Sequence, residues 1–147
     1  MDKLLKHAQD QGEIFESLSF FNKAMAAEGK KAAEYLHDIG KLFAKDIVSH
    51  LKFEEGRVFS VVLSEGALKD KSFIRSLQRE HIDILEKMDL FRDLFSRFNP
   101  KSQGNKYEAD DLVDISREII RMMLTHSRKE DKELFPLLKR LGYAFKS

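Results

Sequence analysis

Apolar residues recur every three or four positions along most of the chain, and sustained β-branched alternation is absent. That period belongs to amphipathic helices with one buried stripe. Prolines stand only at 100 and 136, and the glycines divide the chain into a few long segments. The first predicted helix runs from about Asp2 to Ala27, with Leu4, His7, Gln11, Ile14, Leu18, Phe21 and Met25 on its stripe. A turn near Glu28-Gly29 leads to a second helix from about Lys30 to Leu63, which aligns Leu36, Ile39, Phe43, Ile47, His50, Glu54, Val58 and Val61. Asp70 or Ser72 is placed to cap the third, from about Lys71 to Phe98, whose stripe is Ile74, Leu77, His81, Leu85 (or Ile84), Met88, Phe91 and Phe95. After the loop 99–105, a fourth starts near Tyr107 and carries Leu112, Ile115, Ile119, Met122, His126, Glu130 and Leu134. Pro136 ends or kinks it and leaves Leu137 to Leu141 as a short final helix before Gly142. Four such helices with short connections predict an all-α, up-down antiparallel four-helix bundle, a single domain over residues 1–147.

Polar residues interrupt these stripes in a repeated pattern. His50-Leu51-Lys52-Phe53-Glu54-Glu55 and His126-Ser127-Arg128-Lys129-Glu130-Asp131 both read His, three residues, two acids, and each continues to an aliphatic residue and Phe. Residues four apart on a helix share a face, so each stretch presents an imidazole and a carboxylate side by side. Four of the five histidines fall on stripes, one per helix. His7 and His50 each lie about 21 to 22 residues from the first turn, so at ~1.5 Å per residue they reach one level. His81 and His126 match in the same way about the loop 99–105, and the spacings repeat, 43 residues for one pair and 45 for the other. The chain reads as two copies of one hairpin, each giving two histidines and one glutamate. His37, 13 residues before His50, is rotated to the surface.

Composition adds constraints. Net charge is +1, which gives no reason to expect nucleic acid or an anionic membrane as a partner. No apolar run approaches the ~18 residues of a membrane span. The start, Met1 to His7, has no signal-peptide core, so a cytoplasmic location is expected. With no cysteine, a thiolate metal site is excluded, and the absence of thiolates argues against copper(I) and iron–sulfur clusters. Four imidazoles and two carboxylates at one level of a Leu/Phe/Met interior make a poor core unless cations compensate them. Two metal ions, each held by two histidines and bridged by Glu54 and Glu130, resolve the problem. Iron, manganese or zinc suits such donors.

Those residues carry a family resemblance. The frames His50-xxx-Glu54-Glu55-xx-Val58-Phe59 and His126-xxx-Glu130-Asp131-xx-Leu134-Phe135-Pro136, each preceded by a histidine at His7 and His81, resemble the hemerythrin-like (HHE cation-binding) domains over essentially the whole chain. The resemblance implies a bundle around two iron ions with oxo or hydroxo and carboxylate bridges. His7, His50, His81 and His126 would be terminal ligands, and Glu54 and Glu130 bridges. Oxygen-carrying members have a further histidine four residues after the one on the third helix, where this chain has Leu85. The chain is therefore similar to the four-histidine members, including bacterial iron–sulfur-cluster repair and nitric-oxide-response proteins. In the carriers the second bridging acid lies five residues after the last histidine, here Asp131; the Leu-Phe-Pro frame and the parallel with Glu54 favour Glu130.

Three functions follow as alternatives. One is a di-iron module that binds or senses O2, NO or peroxide, or handles iron, in a stress response. Another is a di-iron enzyme that decomposes peroxide or reduces NO, or supports iron–sulfur cluster repair, with an external reductant. The third is a metal-free structural bundle. No output domain or DNA-binding basic helix is recognisable in the chain.

Overall fold

The computed structural model describes residues 2–25, 34–97 and 106–143, with side chains described over 12–24, 34–97 and 110–143. The turn expected near Glu28-Gly29 and the loop 99–105 lie outside the described residues. Helix α1 is Asp2–Met25. Helix α2 is one rod over 36–65 in which two π-helical turns, Leu42–Ile47 and Glu54–Val58, separate α-helical stretches Leu36–Lys41, Val48–Phe53 and Phe59–Glu65. Helix α3 is Leu68–Arg97. Helix α4, over 106–140, runs as Lys106–Lys129, a π turn Glu130–Leu134 and a final α stretch Phe135–Arg140.

Boundary chemistry explains the ends. A Cβ on Gly66 would lie 2.6 Å from the Val62 carbonyl oxygen, so the tight exit from α2 requires glycine there. Asp70 caps α3 as expected, but from inside the first turn: its Oδ2 accepts the Ala67 N–H at 3.1 Å, and the helix starts at Leu68 rather than near Lys71. Gly142, at φ 99°, closes α4. Its N–H donates to Lys139 O and the Tyr143 N–H to Leu138 O, the paired bonds of a Schellman ending. Pro136 neither ends nor breaks the rod. It sits just past the π turn, in the first turn of Phe135–Arg140, where a missing N–H is tolerated.

The rods pack antiparallel, as the cross-helix partners show. Gly40 faces Phe91 while Glu55 meets Gln78 between α2 and α3; Glu80 meets Lys129 while Lys87 meets Glu118 between α3 and α4. Helix α1 closes the ring against α4 and α2. Among the described residues the interior has two apolar clusters. One gathers Leu18, Ile39, Phe43, Ile47, Met88, Phe91 and Ile119 with their neighbours. The other gathers Val58, Phe59, Val62, Ile74, Leu77, Leu134 and Leu138. A level of buried His and Glu side chains separates them.

Stripe phase was legible to within one residue. Ile84 is buried and Leu85 exposed on α3, and Met123 rather than Met122 is buried on α4. On α2, Val62 is buried in place of Val61, because a count at α-helical pitch carried through the π turn at Glu54–Val58 arrives one residue early.

Candidate metal centre

Five predicted site residues meet at the level between the clusters: His50 and Glu54 from α2, His81 from α3, His126 and Glu130 from α4. All are buried, the two glutamates fully. His7 belongs to α1, and its side chain lies outside the described residues.

The backbone aims the α2 and α4 donors in the same way. Both π turns begin on the glutamate four residues after the histidine, and the Phe59 and Phe135 N–H groups reach five residues back to Glu54 O and Glu130 O. A π turn leaves a carbonyl without its usual α-helical partner. In α2 the Ser60 hydroxyl donates to Gly56 O at 3.1 Å within that turn. Wide turns of this kind concentrate at functional sites. Helical period alone did not reveal them.

Donor atoms of Glu54, His81 and His126 all lie within 4.8 Å of one another, as do those of His50, Glu54 and Glu130. Glu54 belongs to both groups. Its Oε1 is 3.0 Å from His81 Nε2 and 3.5 Å from His126 Nε2, and its Oε2 is 3.7 Å from His50 Nε2. Glu130 Oε1 is 3.0 Å from His126 Nε2, so the second carboxylate also touches both groups. Asp131, the alternative acid, is exposed. On α3 the buried positions one turn either side of His81 are Leu77 and Ile84, both apolar, and position 85, where carriers have a histidine, faces outward.

Two imidazoles are fixed from outside the centre. His81 Nδ1–H donates to Glu55 Oε1 at 2.9 Å, and Gln78 Nε2 donates to the other oxygen of that carboxylate at 3.0 Å. His126 Nδ1–H donates to Glu80 Oε2 at 3.1 Å, while Lys129 Nζ donates to Glu80 Oε1 at 2.6 Å. Ionised carboxylates only accept, so both rings carry their proton on Nδ1 and turn Nε2 inward. The two Nε2 atoms stand 2.9 Å apart. Two lone pairs at that distance, facing a buried carboxylate, repel unless a proton or a metal cation lies among them. Burial works against a charged His126, yet hydrogen bonds and charge from Glu54 and Glu80 outweigh it and raise its pKa to about 8. Burial pushes the Glu80 carboxyl upward, but His126 and Lys129 more than reverse this and lower its pKa. The Phe59 ring stacks on His81, centroids 5.0 Å apart, and walls one side of the centre.

Gln78, one turn before His81 on α3, acts one step back from the ring, on Glu55. Glu80 was missed altogether. Its only signal is an acid directly before His81, at the edge of the stripe, where it serves a ring 46 residues later. His37 is exposed as expected, its ring against Phe95.

A family model for the hemerythrin HHE cation binding domain matches residues 8–138. The chain belongs to that family. No curated protein and no solved structure matches it significantly. Within this hemerythrin-family bundle the donor set is nitrogen and oxygen only, paired across two overlapping groups. That fits cation binding by borderline or hard transition metals. None of the described helices is long and apolar enough to cross a membrane.

Proposed function

We propose that this chain holds two iron ions at the level of Glu54 and uses them to bind or sense O2, NO or peroxide, or to handle iron, in a stress response. His7, His50, His81 and His126 are the terminal ligands in this reading, and Glu54 and Glu130 the bridges; manganese or zinc suits the same donors. The supporting observation is the sharing of Glu54 by two buried donor groups, with Glu130 in reach of both. One carboxylate common to two sites is what a bridged pair needs. Bound iron would supply Lewis acidity and one-electron chemistry.

A second reading, a di-iron enzyme acting on peroxide or NO with an external reductant, draws on the cavities. One of about 470 Å3 between α1 and α2 is lined by His50 with Glu13, Ser17, Asp46 and Ser49. Another, of about 750 Å3 over the α2–α3 seam, is lined by His81 with Leu51, Glu55, Gln78, Ile82 and Leu85. Both flanks of the centre thus have room for a small molecule.

Iron analysis of protein purified aerobically, with its optical spectrum, tests the main reading. Two irons per chain and the charge-transfer absorption of a bridged ferric pair are expected; a colourless, iron-free protein after growth in ample iron rejects it. Reversible spectral change on adding O2 or NO without consumption marks a sensor. Consumption of peroxide or NO by reduced protein, lost in Glu130→Ala with the fold intact, marks an enzyme.

A further inference from the structure

We propose that Glu55 and Glu80 are positioning residues that set the affinity of one of the two metal positions, the one formed by Glu54, His81 and His126. The proposal rests on the two-metal reading above. Both acids are carried by a neighbour of the helix they serve: Glu55 on α2 holds the α3 ring, and Glu80 on α3 holds the α4 ring. Each is itself held at its second oxygen, by Gln78 and by Lys129. A carboxylate behind a ligating imidazole fixes its tautomer and rotation and makes its other nitrogen a stronger donor. Here both imidazoles of one position receive that support, and their Nε2 atoms converge on Glu54 Oε1. Glu55 and Glu80 hold the rings of the Glu54, His81 and His126 group directly, so removing either acts first on that metal equivalent.

Anaerobic titration of metal-free protein with ferrous iron against a competing chelator measures the two equivalents separately. Glu80→Gln keeps an oxygen for the His126 Nδ1–H but loses the charge, and Glu80→Leu loses both. The expected order of affinity for one equivalent is wild type, then Gln, then Leu, with the Gln variant about 10- to 100-fold weaker. The other equivalent keeps its affinity, and each metal-free Gln variant keeps the helical circular-dichroism spectrum of the wild type. Glu55→Gln weakens the same equivalent, and cobalt(II) bound there in either variant shows shifted ligand-field bands. If the Gln variants weaken both equivalents alike, or neither, the assignment is wrong. A wild-type chain that takes up only one iron refutes the two-iron reading, while a loss or retention of that iron's affinity in Glu80→Gln still decides this proposal. Wild-type protein that binds no iron refutes both.

Discussion

The apolar cluster around Phe59, Val62, Leu77 and Leu138 and the His/Glu level beside it are equally buried but are held by opposite means. The cluster is neutral, and its contacts are satisfied by the protein alone. At the polar level, buried carboxylates and convergent imidazole nitrogens stand where desolvation costs several kcal/mol per ion. Apolar packing stabilises this bundle whatever its contents, whereas the charges at the polar level call for a proton or a metal cation among them.

The largest way to break that contrast is Phe59→Ala, which empties a fully buried site and unstacks His81. It should cost about 3–5 kcal/mol in denaturant unfolding, with or without metal. Chelation should act on the polar level alone. If the metal is present at about a thousand times its Kd, its removal lowers stability by about 4 kcal/mol, read as a fall in melting temperature. A smaller effect of opposite sign sharpens the comparison: above about pH 8, where His126 is neutral, Glu54→Gln with Glu130→Gln removes two uncompensated buried charges and should raise the stability of metal-free protein, by about 1–4 kcal/mol if the amides pack well. A metal-free double variant less stable than wild type would show that the carboxylates stabilise the level by themselves.

Proton linkage comes next. The folded pKa of His126, about 8, lies above its ordinary 6.5. The stabilisation it brings to metal-free protein is therefore fully present below about pH 6.5 and lost as pH rises through about 8. Urea midpoints from pH 6 to 9 should fall accordingly, less steeply in His126→Gln. Iron affinity should rise over the same range, because metal and proton compete for Nε2. Least affected is the surface: breaking the exposed Lys87–Glu118 pair, at 3.3 Å, should change stability by under about 1 kcal/mol.

Much of this was legible in the chain. His50, Glu54, His81, His126 and Glu130 all lie inside because apolar neighbours at helical spacing fix the face on which each must sit. Four rods followed from the same stripes, and their alternating direction from the short connections between them. Three things were not legible. Ile84 and Leu85 differ by a single 100° step, too fine for a periodic count to separate. The π turns change the ladder without changing the residue pattern that announces a helix. Glu80 acts across a helix interface, and nothing local in Arg79-Glu80-His81 points to His126.

The π turns at Glu54 and Glu130 also govern how these rods tolerate editing. Each contains about one residue more than an ordinary turn would hold, so trimming one residue there would return the segment to regular pitch and leave the downstream face nearly in place, whereas the same trim in a regular stretch would swing everything after it by about 100°. On α2 a trim at Gly56 would keep Phe59 and Val62 turned toward their pocket, about 1.5 Å nearer His50, while a trim at Ser60 would turn Val62 away from it. The two spare residues are thus slack built into the rods beside the centre, and the far end of the bundle can lose either one and still show the same face.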